Sequence, residues 1–353
     1  MIEEKFREIF ELWGYREVRT STVEYFDIIK LGAGEPFVDS IFKFQDYDGK
    51  LISIRGEITT QIARMMATRL YNENRVYYIE NCIRFVSPRD VGQREFWQAG
   101  AELFGRGGAE EDGEIICLAL ECLEKLGLKA NVDIGSISIF RKIANYFKIE
   151  ELDALRRAIS SKSLFAIREI VRNESAMEVL KYIIENRGSI EIVKKLVDMG
   201  IAEIMEDLKY FEGLFEVIRA YGYEDRIVVD LSTLREMKYY NGIVFEIFLE
   251  GIGIPIGGGG RYDEMMKEFG LSLGATGFAV NIDLIMKAIK YSTMKKEGPV
   301  RIYYKEGFLE KAVRMAKELR SKGIKCIIAP HRGENNGIIL GERDEGTNIS
   351  NTK

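Results

Sequence analysis

Residues 76–105 constrain the fold of this chain more than any other stretch. Strand-like runs at Val76–Arg84 and Glu95–Leu103 flank a basic loop, and the second run sets Gln98 and Glu102 four apart. Successive strand residues point to opposite faces, so these two polar side chains leave the same face. Trp97, Leu103 and Phe104 surround them. If that face is buried, both groups need partners and suit a polar ligand; if it is exposed, water serves.

Size and composition narrow the class. At 353 residues, 46% hydrophobic and 30% charged, the chain can bury a large core, read as one big domain plus an appendage. Five prolines and no low-complexity tract argue against long disordered linkers. The longest apolar runs fall far short of the roughly 18 residues of a membrane span, and the start, Met1-Ile-Glu-Glu-Lys-Phe-Arg7, reads as a charged amphipathic helix rather than a signal peptide. The expectation is a cytoplasmic protein with no membrane partner. Cys82, Cys117, Cys122 and Cys326 lack metal-ligand spacing and His331 is the single histidine. Buried reduced thiols are therefore expected, with no metal site and no histidine-based triad. A net charge of -5 supplies no global basic surface for phosphates and weighs against nucleic acid.

Periodicity orders the elements. Phe6, Ile9, Phe10 and Trp13 fall at helical spacing over 3–13, and Gly14-Tyr15 precedes a strand, Glu17–Val23. Ser40–Asp46 and Leu51–Arg55 flank Tyr47-Asp48-Gly49, a hairpin signal. A helix is expected over about 59–70 and another over 111–126, with Ile115, Ile116, Leu118, Ala119, Cys122 and Leu123 inward, then a strand at Ala130–Asp133. From 137 to 222 the pattern is helical, broken near Asn186-Arg-Gly. Strands return at Ile227–Leu231, Val244–Leu249 and Pro255-Ile-Gly, and a helix is read over Ala275–Ile289. Beyond Gly298 lie a strand at Val300–Tyr304, a helix at Phe308–Lys322, a strand at Lys325–Ala329 and a short run at Gly337–Leu340. This is a truncated βαβ-type unit, too small for a full nucleotide-binding domain.

Three further constellations are candidates for chemistry. Gly257-Gly-Gly-Gly-Arg-Tyr-Asp263 lets backbone approach a ligand, but lacks the lysine and Ser/Thr of a phosphate loop, and by itself suits a tight turn or a closely approached strand. Arg55-Gly-Glu57-Ile-Thr59 offers a carboxylate and a hydroxyl to an ammonium group, or simply a helix cap at Thr59. Arg235 with Tyr239-Tyr240 offers a carboxylate-reading guanidinium and an aromatic wall, or a core tyrosine pair.

The order and spacing of these signals, from about Phe6 to Met286, resemble histidyl-tRNA synthetase, a class II aminoacyl-tRNA synthetase. Gly14-Tyr-Arg-Glu-Val-Arg-Thr20 is similar to its motif 1 and Arg55-x-Glu57-x-Thr59 to its Arg-Pro-Glu-Gly-Thr. Arg84–Gly105 resembles its motif 2, and Leu234–Glu246 its histidine-specific Arg-Gly-Leu-Asp-Tyr-Tyr-Asn-Gly-x-Val-Phe-Glu. Gly258-Gly-Gly-Arg-Tyr-Asp263 and Gly277–Leu284 resemble the run into motif 3. The resemblance implies an α+β fold. A class II synthetase-like antiparallel sheet flanked by helices would span 1–136 and 223–296, interrupted by a helical insertion at 137–222. A truncated α/β C-terminal unit would span 297–344, followed by a disordered tail at 345–353.

Carried over residue by residue, the resemblance implies an intact amino-acid pocket. Glu57 and Thr59 would hold the α-ammonium, Gln98 would position the amino-acid backbone, Glu102 with Tyr239 or Tyr240 would read an imidazole, and Arg84 and Arg235 would face the carboxylate. The ATP machinery departs from the pattern. The motif 2 glutamate is Val86, the motif 3 arginine is Leu284, and the motif 1 proline is Ser21. Loss of that arginine withdraws preorganised positive charge from the γ-phosphate site, worth on the order of several kcal/mol of barrier. The family's Gly-Leu-Asp after Arg235 is Glu236-Met237-Lys238, and the stretch after Gly298 is short of a complete anticodon-binding domain.

A kept histidine pocket, a broken ATP site and a shortened C-terminal unit are similar to the regulatory subunits of ATP phosphoribosyltransferase, which serve the first step of histidine biosynthesis. That family implies no catalytic residues, metal or cofactor in this chain. It implies a short-form catalytic subunit as partner, L-histidine as feedback effector, a homodimer within a hetero-oligomer, and no nucleic acid. The alternatives are an active histidyl-tRNA synthetase, another synthetase-like amino-acid ligase, and a stand-alone interaction protein. The first two need the ATP site; the third expects an unliganded pocket.

Overall fold

The computed structural model describes residues 1–70, 73–85, 94–235, 237–289, 298–333 and 337–341. Val86, Glu236 and the tail 345–353 lie outside the described residues. Two compact units divide the chain, Met1–Ile289 and Lys290–Lys353.

The first unit begins with α1 (Ile2–Leu12), β1 (Arg16–Glu17), β2 (Val23–Tyr25), α2 (Phe26–Ala33), α3 (Glu35–Val38), β3 (Lys43–Gln45), β4 (Leu51–Ile54) and α4 (Thr59–Thr68). It continues through β5 (Arg75–Ile83), β6 (Glu95–Gly105), α5 (Ala109–Glu124) and β7 (Ala130–Ser136). Six helices follow: α6 (Ile137–Tyr146), α7 (Leu152–Ser160), α8 (Leu164–Ile170), α9 (Glu174–Glu185), α10 (Glu191–Asp198) and α11 (Met205–Ala220). The unit closes with β8 (Ile227–Val229), β9 (Ile243–Leu249), β10 (Gly257–Arg261), α12 (Asp263–Glu268), β11 (Gly274–Asn281) and α13 (Ile282–Ala288).

Eight strands form the main sheet in the order β1-β5-β6-β11-β10-β9-β7-β8. Its pairings are antiparallel except at the margins, where β1 pairs with β5 and β7 with β8 in parallel. The sheet thus has the expected antiparallel body, flanked by helices, with one parallel pairing at each margin. A separate three-stranded antiparallel sheet, β2-β4-β3, contains the predicted hairpin.

One face of the main sheet is covered by α1 and α5. Ile2, Phe6, Ile9 and Phe10 of α1 are buried at helical spacing, so the helix lays one apolar stripe on the sheet. Phe10 stacks on Tyr77 at 4.8 Å and lies 6.2 Å from Phe278. Full burial of each such ring contributes roughly 1.5–3 kcal/mol. All the residues expected to face inward on α5 are buried.

The helices α6–α11 fill the segment read as an insertion and belong to the same compact unit as the sheet. α11 packs on α5: Tyr210 donates to the buried Asp112, and a β-carbon on Gly113 would meet Val217 at 2.6 Å. At the Asn186-Arg-Gly break, Gly188 exchanges backbone hydrogen bonds with Val229 and Arg187 pairs with Asp133 at 3.0 Å.

Several sequence expectations differ from the structure. The stretch Ala275–Ile289, read as one helix, is the strand β11 followed by α13. β11 is central and paired with β6 and β10, and residues pointing to both of its faces are buried or half-buried, so the period-2 signal disappears. The strand read at Glu17–Val23 breaks into β1 and β2 of different sheets; between them the Thr20 amide and hydroxyl donate to Glu80. The run Pro255-Ile-Gly leads into β10, which consists of the glycines themselves, and α2 was not foreseen. All four cysteines are free and buried.

The second unit holds β12 (Val300–Tyr304), α14 (Leu309–Ser321), β13 (Cys326–Pro330) and β14 (Ile338–Leu340). Its three strands are parallel in the order β13-β12-β14. Ile302, Ala312, Ala316, Cys326 and Leu340 form its own small core. Among the described residues, no helix is long and apolar enough to cross a membrane and no group of three or more His, Cys, Asp or Glu is placed to hold a metal.

Candidate functional site

The uncovered-by-α1/α5 face of the sheet carries the candidate site. Its floor is made of residues with little or no side chain, because large neighbours need the space. On β6 the alternation puts Gln98, Gly100 and Glu102 on this face. Register pairs Glu102 with Gly277, and Gly277 with Gly260, while Ala279 pairs with Gly258. A β-carbon on Gly277 would run into Glu102 Oε2, and one on Gly258 into Arg235 Nη1. Gly260, at φ 152°, has a backbone that side-chain-bearing residues rarely adopt, and Tyr240 lies over it. The glycine run is thus a closely approached strand and not a turn.

Glu102 is the centre of the site. Its side chain is 1% exposed. Thr59 Oγ1 donates to Oε1 at 2.7 Å and the Tyr262 hydroxyl donates to Oε2 at 2.6 Å. Burial pushes its carboxyl up to about 8, against the pull of the Tyr262 and Thr59 hydrogen bonds, with Glu57 adding to the rise. A buried acid of this kind is held neutral until a ligand or a cation justifies its charge. The exposed-face reading of Gln98 and Glu102 is excluded for Glu102, while Gln98 is half-buried and accepts from Cys82 Sγ at 3.0 Å.

Glu57 lies just before α4, and its carboxylate accepts from the Thr60 amide at 3.0 Å, so Glu57, and not Thr59, meets this first-turn amide. Thr59 is thereby free to reach Glu102. Burial raises the Glu57 carboxyl, and hydrogen bonds from Thr60 and the charge of Arg84 oppose that rise. Arg84 lies between two rings, 5.6 Å from Phe37 and 4.9 Å from Phe96, and donates from Nη1 to Gly56 O at 2.6 Å. The rings fix its guanidinium plane.

Arg235 sits on the loop between β8 and β9. Its Nη1 donates to Phe245 O at 3.5 Å, its guanidinium lies 6.0 Å from the Tyr240 ring, and its buried Nε has no hydrogen-bond partner. Burial lowers its basicity, and the nearby Tyr240, Glu246 and Tyr239 more than restore it. Tyr239 and Tyr240 meet edge to face at 4.6 Å, and Tyr239 meets Tyr262 likewise at 5.7 Å. Beyond Tyr240 a cleft of about 460 Å³ runs along Arg141, Asp153, Arg156, Met237 and Lys238.

The structure brings Glu57, Thr59, Arg84, Gln98, Glu102, Arg235, Tyr239 and Tyr240 onto one side of the sheet. The sequence reading did not single out Tyr262, the residue that holds Glu102. Its signal was its place immediately after the glycine strand and Arg261, where alternation turns it back to the site face. Arg261 itself faces the other way, into α5, and pairs with the fully buried Asp112 at 2.9 Å. Leu284, at the expected place of the motif 3 arginine, lies in the first turn of α13, whose start is capped by the Asn281 side chain.

Sheet, covering helices and glycine-floored pocket define a class II aminoacyl-tRNA synthetase-like protein. A family model described as histidyl-tRNA synthetase matches residues 1–285. The ATP phosphoribosyltransferase regulatory subunit of Thermoanaerobacter pseudethanolicus is 33% identical over 335 residues, covering 91% of this chain and 87% of the relative. That of Desulforamulus reducens is 33% identical over 350 residues, covering 93% and 85%. A solved ATP phosphoribosyltransferase regulatory subunit/histidyl-tRNA synthetase from Bacillus halodurans superposes with a TM-score of 0.83 at 28% identity, over 94% of this chain and 88% of that one. Histidyl-tRNA synthetase from Nostoc shares the fold at a TM-score of 0.78 and 18% identity, over 94% and 82%. The chain belongs to the histidyl-tRNA synthetase family, in its branch of ATP phosphoribosyltransferase regulatory subunits.

Proposed function

We propose that this chain regulates ATP phosphoribosyltransferase by taking free L-histidine into the pocket around Glu102. The chain works with an ATP phosphoribosyltransferase catalytic subunit in histidine biosynthesis and has a non-catalytic role there, as its family indicates. The finer reading is that the partner is a short-form catalytic subunit, which transfers phosphoribosyl to ATP as a glycosyltransferase. This chain would form a homodimer within the hetero-oligomer, and the complex would be cytoplasmic. Its own contribution is a ligand site of Glu57, Thr59, Arg84, Gln98, Glu102, Arg235, Tyr239 and Tyr240, in a synthetase-like core (1–136 and 223–296) with a helical insertion (137–222) and a small α/β unit (297–344).

One observation carries this reading: a buried carboxyl, Glu102, is kept in place by two hydroxyl donors on a floor cleared of side chains. Such an arrangement is costly without a polar ligand to use it. Leu284 argues against ATP chemistry at the same site, since a leucine supplies no charge to a phosphate. Feedback then requires only that histidine bind more tightly in the inhibited assembly than in the active one, and a difference of about 1–3 kcal/mol is sufficient.

The test is phosphoribosyl-ATP formation by a purified short-form catalytic subunit, with and without this chain, with histidine titrated in. Activation followed by histidine inhibition is expected. No effect at concentrations where the two proteins co-elute, together with histidine-dependent ATP–pyrophosphate exchange by this chain alone, would favour a synthetase instead.

A further inference from the structure

We infer that Tyr78 is a further ligand-contacting residue of this pocket, its hydroxyl completing a hydrogen bond to a polar atom of the bound amino acid beside Glu102. The inference rests on the histidine-pocket reading above.

Tyr78 lies on β5, on the same strand face as Arg84 by alternation. It reaches the site through the gap left by Gly100: a β-carbon there would lie 2.5 Å from the Tyr78 hydroxyl and 2.6 Å from Cζ. Gly100 stands between Gln98 and Glu102 on β6, so the phenol rises between the two side chains expected to meet ligand. Its side chain is fully buried, and its hydroxyl has no hydrogen-bond partner. Burial first, and then Glu102, Cys82, Glu57 and Tyr240, push its pKa well above the ordinary value. Those four neighbours all belong to the pocket, and the phenol stays protonated, able both to donate and to accept.

Four other buried or half-buried tyrosines of this unit behave differently. Tyr15 donates to Glu114 at 2.9 Å, Tyr77 to Glu11 at 3.2 Å, Tyr262 to Glu102 at 2.6 Å, and Tyr210 to Asp112. Each finds a carboxylate, as buried phenols usually find a partner. Both oxygens of Glu102 already accept from Thr59 and Tyr262. Tyr78 is the hydroxyl in this group that the protein leaves unmet, at the point where a ligand atom would lie.

The test compares the full-length chain with Tyr78→Phe by thermal unfolding and by calorimetric titration with L-histidine, with Glu102→Gln as a control. Removing an unmet buried hydroxyl should leave the free protein as stable or raise its Tm by about 1–3 °C. Histidine affinity should fall about 3- to 10-fold, as expected for one lost hydrogen bond. An unchanged histidine affinity in Tyr78→Phe, with Glu102→Gln strongly weakened, overturns the inference and leaves the pocket reading intact; it means that water satisfies the hydroxyl. A wild-type chain that does not bind histidine at all overturns both.

Discussion

Substituting Glu102 with glutamine separates its burial from its hydrogen bonds. Glu102 is 1% exposed, and its carboxyl is pushed up to about 8 from an ordinary value of 4.5. The folded protein thus holds a proton through this interval that the unfolded chain has released. Stability from this group is complete below about pH 4.5 and declines as pH rises through about 8, the reverse of a salt-bridged carboxylate. At about 1.4 kcal/mol per pH unit, moderated by local relaxation, the interval amounts to on the order of 3–5 kcal/mol. Glutamine keeps the shape of the protonated acid. Its carbonyl can accept from Tyr262 and its amide can donate to Thr59. The Glu102→Gln variant should therefore match the wild type near pH 5 and exceed it at pH 8.5, at roughly 2 °C of Tm per kcal/mol. The assay is Tm against pH for both proteins. Glu57, Asp112, Asp133 and Glu246 are also raised by burial, but they titrate in both proteins, so the difference curve isolates Glu102 and its coupling to Glu57. Parallel curves across the whole interval would refute the burial account.

Two further substitutions probe the frame of the site. Arg261→Met strands the fully buried Asp112, which Arg261 Nη2 and Nε meet at 2.9 and 3.1 Å; a loss of about 3–5 kcal/mol is expected in urea unfolding, and a loss below about 1 kcal/mol contradicts it. Gly277→Ala drives a methyl into Glu102 Oε2 and to 2.7 Å from Ala101 O, so histidine affinity should drop by about tenfold or more along with Tm. Retained affinity in calorimetry would show that Glu102 can move without cost.

The sequence was most legible where one residue's chemistry dominates a short spacing. The four-residue interval between Gln98 and Glu102 located both on one face because a strand alternates strictly, and the apolar spacing of α1 and α5 located their buried stripes. It was least legible where partners outside the segment decide. β11 read as a helix because Gly274–Asn281 shows no strict alternation of apolar and polar residues, and only its two neighbouring strands make it a strand. Thr59 could be read locally as a cap or as a ligand hydroxyl because its position suits both, and the structure shows that Glu57 takes the Thr60 amide while Glu102, more than forty residues away in sequence, claims the threonine hydroxyl. Tyr78 and Tyr262 were not singled out, since nothing local shows that Gly100 and Gly277 leave room for polar atoms.

The glycine strand has a consequence for how the pocket comes into being. Four consecutive glycines, Gly257–Gly260, carry no pattern that tells one register from the next, and a one-residue slip would cost them little by themselves. Alignment is imposed from the ends: Ile256 is buried on one side, and on the other Arg261 must find Asp112 while Tyr262 finds Glu102. A slip would break both matches together and turn each side chain to the wrong layer. Assembly of the Glu102 pocket and proofreading of the central sheet are therefore one event, and a chain that has folded out of register presents no site to occupy.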